Sequence, residues 1–330
     1  MTDKLIKSHL NLPSGHAHRS IFHRVLDESI MLFRCIMQHA SSSTISKNRP
    51  RRVMPFFGLS MGISIFALSL LVILPFAMMI LTTLQMGVGE IIQTIFEPQV
   101  FAAIKLSLTM AALATMTNLI FGTLIAWVLV RYEFWGKSLI NALVDLPFAL
   151  PTAVTGIALA TLYAPNGLFG QWFASLGMWL IGKPIQIAFT PIGIWLALVV
   201  VSFPFIVRAV QPVLAELSSE YEEAAAVMGA GRWTIFRRVI LPEITPAMLI
   251  GAGMMFARAT GEYGSVIFIA GNIPMQSEIL PLIIISKLEQ FDVAAASCVA
   301  LFMLLISLVI LFAINFAQWK LSARLGAKTN

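Results

Sequence analysis

Beyond residue 55 the chain alternates long apolar runs with short polar connections. A helix needs about 20 mostly apolar residues to cross roughly 30 Å of hydrocarbon, at about 1.5 Å of rise per residue. Six runs reach that length: Phe56–Leu81, Phe101–Val130, Leu139–Tyr163, Pro191–Val210, Pro246–Ala270 and Ala294–Ala317. A seventh, Leu168–Ile181, carries Gln171 and Gly177 and is shorter, which predicts an interfacial or re-entrant helix between spans three and four. The pattern predicts an all-α, polytopic membrane protein with six transmembrane helices. Pro147 and Pro151 each remove a backbone donor, so span three should be kinked or broken near its cytoplasmic end, as a gate or as a static shape fitted for packing. Pro75 and Pro204 allow the same two readings in spans one and four.

Composition narrows the class. At 58% hydrophobic and 12% charged residues, the chain lies far from the roughly 25% charged residues of soluble domains and from the low hydrophobicity of disordered chains. With two cysteines far apart, Cys35 and Cys298, it is not a disulfide scaffold. All five histidines precede the first run, which excludes an intramembrane histidine metal site or proton relay, and no His-Glu-x-x-His occurs. With six spans, every Lys and Arg except Lys105, Lys183, Lys287 and the in-span Arg258 falls on one side, so both termini are expected in the cytoplasm. Residues 1–52 read as a basic leader, without the apolar core of a cleaved signal peptide. Residues 53–325 form the membrane domain, with a long cytoplasmic loop at about 213–243, and 326–330 a short tail.

That loop is the most charged stretch of the membrane region. Ser219 followed by Glu222 predicts a capped helix through Met228, Gly229 and Gly231 predict its stop, and a second short helix is expected to reach Pro242. By pattern alone this could be an ordinary connecting hairpin. The spacing is more specific: Glu223-Ala224-Ala225, three residues, Gly229, nine residues, then Val239-Ile240-Leu241-Pro242 resembles the coupling loop of ATP-binding-cassette importer permeases, with Val239 where Ile is usual. Further on, Phe256 to Pro274, containing Gly261-Glu262-Tyr263-Gly264, is similar to the fifth-span region of the sulfate/thiosulfate permease subunits of the CysT (CysU) family. Ser277-Glu278-Ile279, Lys287 to Asp292 and Leu146 to Thr152 extend the likeness, which covers residues 53 to 325.

The resemblance implies a type I, MetI-like permease fold and a subunit that catalyses no bond change itself. It implies as partners a second homologous permease, two cytoplasmic ATPases carrying ATP-Mg, and an extracytoplasmic protein that delivers sulfate or thiosulfate, in the inner membrane of a bacterium. Glu223, Ala224, Ala225, Gly229, Leu241 and Pro242 would then couple the chain to an ATPase. No cofactor is expected on this chain: Gly136-Lys137-Ser138 echoes the end of a phosphate loop, but Arg131 stands where the required glycine belongs. Nucleic acid is not an expected partner, because the basic residues flank spans.

Candidate pathway residues are few. Arg258 and Glu262, four apart, should share one face near the middle of span five, as an ion pair locking the helix, as positive potential for a divalent oxyanion, or as both in different states. Thr152, Thr155, Tyr263 and Ser265 offer hydroxyls, Pro147 and Pro151 a possible gate, and Asp145 either a helix cap or a gate residue. Gly156, Gly251, Gly253, Gly261 and Gly264 read first as close-packing positions. Molybdate or tungstate importers carry a similar Gly-Glu-Phe-Gly and remain the alternative cargo class; an ion-gradient-driven anion transporter, using Arg258 and Glu262 as a relay, is the rival mechanism.

Overall fold

The computed structural model describes residues 57–326; the leader 1–52 and the tail beyond Gly326 lie outside the described residues. The chain divides into two units, one up to Ala67 and one from Leu68 onward. Of the first, the described residues are 57–67, all in helix α1 (Phe57–Leu68), whose large side chains, such as Leu59, Ile63 and Phe66, are exposed as lipid-facing residues are.

The second unit is helical, with no strand among the described residues. A π-helix, Ser69–Ile73, leads into α2 (Leu74–Leu84), and α3 (Val88–Ile95) follows. Then come α4 (Pro98–Arg131), α5 (Lys137–Ala149), α6 (Thr152–Tyr163), α7 (Leu168–Ile181) and α8 (Pro191–Glu216). The remainder is α9 (Ser219–Val227), α10 (Arg232–Ile235), α11 (Leu241–Thr260), α12 (Val266–Ile269), α13 (Leu280–Glu289) and α14 (Val293–Gly326). By length and composition Leu59–Leu84, Pro98–Arg131, Pro191–Glu216, Arg232–Thr260 and Val293–Lys320 can each cross a membrane. The pair Lys137–Ala149 and Thr152–Tyr163, bent by 111°, supplies the sixth span if it counts as one. The 14-residue α7 is too short to cross, in keeping with its place between spans three and four.

Proline and glycine account for the departures from six straight rods. The bend of span three falls at Leu150 and Pro151, where Pro151 becomes the N-cap of α6 and Leu150 is driven into extended conformation. Span four instead carries Pro204 and Pro212 inside one helix and continues to Glu216, past its expected end at Val210. Span five differs most. It begins at Arg232, because a π-turn, Phe236–Ile240, widens the helix ahead of Pro242 and lets it continue, so no separate short helix ends at Pro242. It ends at Thr260, because Gly261 leaves the helix, and only the single turn α12 resumes after Ser265.

The core is the parallel pair α4 and α8, whose contacts climb together from Thr117–Trp195 through Gly122–Ile206 to Arg131–Leu217, with α11 laid against both. The backbones meet at glycine: a Cβ on Gly122 of α4 would lie 2.0 Å from Cγ2 of Ile206, and one on Gly251 of α11 would lie 2.8 Å from Cδ1 of the same residue. Ile206 is fully buried between them. Asn118 adds a polar tie, its Nδ2 donating to Val199 O at 2.9 Å and Ser202 Oγ at 3.1 Å, and Trp195 Nε1 donates to Thr117 Oγ1 at 3.3 Å. In hydrocarbon such interhelical bonds each contribute about 0.6 kcal/mol and fix which faces meet.

Candidate coupling and translocation site

The loop helix α9 starts one residue earlier than its capping pattern predicts. Ser218 is the N-cap, its Oγ accepting from Glu220 N at 3.2 Å, and Glu222 is turned to another task. Helix α9 ends in a Schellman turn: Gly229 N donates to Ala226 O at 2.9 Å and Ala230 N to Ala225 O at 3.0 Å, with Gly229 at φ +83°. The glycine is required by this left-handed backbone, since a Cβ there would meet nothing within 4 Å.

One face of α9 is anchored and the other is open. Ala225 is buried in the core cluster that holds Leu129, Leu214, Ile235 and Ile240. Tyr221, Val227 and Met228 are exposed, as are Glu223 and Ala224. Leu241 packs, half-buried, against the core cluster, and Pro242 is likewise half-buried in the first turn of α11, so both lie at the foot of span five. Trp233 stacks on Phe236 at 5.6 Å between ring centroids, and Phe236 meets Trp127 edge-on at 5.6 Å, continuing the anchored side onto α4.

An interaction that spacing could not disclose holds α9 down. Arg131, the last residue of α4, donates to Glu222 Oε1 at 2.5 Å and to Leu217 O, the C-cap of α8, at 3.3 Å, with its guanidinium carbon 5.9 Å from the Trp127 ring centroid. Sequence marks Arg131 only as a positive charge at a span end.

The second polar cluster lies between α5 and α8. Arg208 donates from Nε to Asp145 Oδ1 at 2.7 Å and from Nη2 to Asp145 Oδ2, and its Nη1 reaches Asn141 Oδ1 at 3.1 Å and Gln211 Oε1 at 2.7 Å. Asp145 therefore does not cap its helix, which begins after Gly136 without a side-chain cap. The legible signal is polar spacing within apolar runs: Asn141 and Asp145 are four apart, Arg208 and Gln211 three apart, so each pair shares a helix face.

The third cluster sits where spans three and five both break. Arg258 occupies the last turn of α11 and pairs with Glu262, which stands beyond the helix end in the turn Gly261–Ser265, so the pair is not mid-helix as expected. Glu262 is 2% exposed; its Oε1 accepts from Ser265 N at 3.0 Å and Ser265 Oγ at 2.9 Å, while its other oxygen takes the arginine. The carboxylate thus holds the turn that ends the helix. The Arg258 side chain keeps 35% of its surface open. Helix α6 packs on this turn so closely that a Cβ on Gly156 would lie 2.4 Å from Ser265 O, and one on Gly264 2.3 Å from Thr152 Oγ1. Arg258, Glu262, Ser265, Thr152 and Gly156 are therefore one assembly. Thr155 is buried on α6 and Tyr263 half-buried in the turn. Pro147 lies inside α5, and Pro151 at the bend.

The chain is similar to known proteins in sequence and in fold. The family described as binding-protein-dependent transport system inner membrane component matches residues 118–326. The sulfate transport system permease protein CysT of Escherichia coli (strain K12) is 45% identical over 83% of this chain and 96% of its own length. The protein of the same name from Synechocystis sp. is 43% identical over 78% of this chain and 87% of its own length. Among solved structures, a bacterial ABC transporter involved in the import of the acidic polysaccharide alginate shares the fold, at TM-score 0.64 and 15% identity, over 91% of this chain and 99% of that one.

Proposed function

We infer that this chain, which belongs to the binding-protein-dependent transport system inner membrane components and within them to the CysT sulfate permeases, is the permease subunit of an ATP-binding-cassette importer that translocates sulfate. The observation that carries this conclusion is 45% identity along nearly the whole length of a sulfate permease. It is a multi-pass membrane protein.

In the finer reading, the chain pairs with a second homologous permease, two cytoplasmic ATPases that bind ATP-Mg, and an extracytoplasmic protein that presents sulfate or thiosulfate. It carries no catalytic centre or cofactor of its own. The excess of Lys and Arg on one side supports a reading in which both termini face the cytoplasm, at a bacterial inner membrane. The open face of α9, with Tyr221, Glu223, Ala224, Val227 and Met228, meets an ATPase; Ala225 and the Gly229 turn fix its angle, and Leu241 and Pro242 pass its motion into span five. At the far end of span five, Arg258 supplies positive potential to a passing dianion, and Thr152, Tyr263 and Ser265 supply hydroxyls. Glu262 screens that arginine, so the anion is not trapped in a deep well, which rapid release requires. The bend at Pro151, with Pro147 weakening the last turn of α5 before it, lets α5 swing relative to α6 as a gate.

Labelled-sulfate uptake, in cells lacking the chain and in cells restored with it, tests the reading. Restored uptake should vanish on ATP depletion and persist when the proton gradient is collapsed with ATP maintained. Uptake that follows the gradient instead would establish the secondary-transporter reading. Competition by excess thiosulfate, but not molybdate, is expected to lower the signal; inhibition by molybdate alone would reassign the cargo.

A further inference from the structure

Helix α4 is joined to other elements at both ends. At one end Arg131 holds Glu222 of the loop helix α9 and Leu217 O of α8. At the other, Gln99 Nε2 donates to Glu278 Oε2 at 2.7 Å, Glu97, the N-cap of α4, accepts from Lys287 Nζ at 2.8 Å, and Ser107 Oγ accepts from Leu280 N at 2.9 Å. All three partners belong to the segment from Glu278 to Lys287, which opens α13. Glu278 is only 6% exposed, and among the described residues Gln99 is its one side-chain hydrogen-bond donor.

The helix between these joints is built to be stiff. Its 34 residues span about 51 Å at about 1.5 Å per residue. Its only proline, Pro98, stands in the first turn, whereas α5, α8 and α11 carry prolines in their interiors. It is also seated along α8 by Gly122 and Asn118. A rod without a hinge, tied at each end by charged or amide side chains, transmits displacement from one end to the other.

We propose that α4 is a tie rod linking the ATPase-facing helix α9 to the extracytoplasmic segment Glu278–Lys287, with Arg131–Glu222 and the Gln99–Glu278 and Glu97–Lys287 contacts as its two joints. This deepens the importer reading and rests on it. Arg131 and Gln99 are positioning residues: neither touches nucleotide, yet both set how strongly events outside the membrane reach the ATPases.

The test is a double-mutant cycle on the complete complex in proteoliposomes, reading the stimulation of ATP hydrolysis by sulfate-loaded binding protein and the sulfate moved per ATP. Arg131→Gln at the inner joint, and Gln99→Ala combined with Lys287→Met as one lesion of the outer joint, should each lower the stimulation about fivefold while basal hydrolysis persists. The variant with both joints cut should be no worse than the poorer single lesion, because a rod cut at one end carries nothing more to lose. The exchange Arg131→Glu with Glu222→Arg should recover at least half of the lost stimulation. Losses that multiply when both joints are cut, or single lesions that respond like the wild type, overturn the tie rod. If Arg131→Gln fails to assemble, Glu222→Gln opens the same joint under the same criteria. A wild-type complex whose hydrolysis ignores the loaded binding protein overturns the importer reading itself, a distinct result.

Discussion

At the scale of single residues, two glycines have opposite reasons to be glycine. At Gly229 the constraint is the sign of φ, since no atom would meet a side chain there. Gly229→Ala should cost about 1 kcal/mol and Gly229→Val more, whereas Gly229→Asn, which tolerates the left-handed region, should cost the least. Thermal unfolding of the purified complex ranks the three, and transport per ATP should fall in the same order if the turn sets the angle of α9. At Gly122 the constraint is space, a Cβ landing 2.0 Å from Ile206. Gly122→Ala should destabilise by about 1–3 kcal/mol, and Ile206→Val, which pares the opposing side chain, should restore part of that loss; denaturation midpoints of the single and double variants check it. Sequence reading placed Gly229 in a stop signal, because the turn chemistry is local. It could not place Gly122, whose reason for being glycine lies 84 positions away on another helix.

At the scale of elements, what was legible follows the range of the interaction. Apolar runs of bilayer length located the spans, since lipid imposes that length on each helix independently. The break in span three was legible from Pro147 and Pro151, because a proline acts on its own backbone. The ends of span five were not. Its start needed the π-turn at Phe236–Ile240 that absorbs Pro242, and its finish needed Glu262 folding back on Ser265. Read as one run from Pro246 to Ala270, span five takes in the polar stretch Gly261–Ser265, and nothing in that pattern discloses a turn held by one buried carboxylate. In the candidate site the i,i+4 relation of Arg258 and Glu262 was foreseen and their pairing is observed, but the helix connecting them is absent. Arg131 with Glu222, and Arg208 with Asp145, join residues 91 and 63 positions apart, and nothing in local spacing links them.

At the scale of the whole molecule, the distribution of positive charge yields a sidedness that labelling can check. In a Cys35→Ser background, Tyr221→Cys should react with a membrane-impermeant thiol reagent only from the cytoplasmic face, and Lys183→Cys only from the outer one; the reverse pattern would invert the topology. Cys298 is buried and should stay silent. The length of α4 has a consequence for turnover. A rod of about 51 Å exceeds roughly 30 Å of hydrocarbon, so its ends stand in the headgroup layers, where water competes for every charge. Half-wet ion pairs are worth about 0–1 kcal/mol, whereas the apolar seam at Gly122 and Ile206 has no aqueous alternative. The fastenings are thus labile and the shaft permanent: each cycle can release and remake the grip at either end within thermal energy, while the member between them never comes apart.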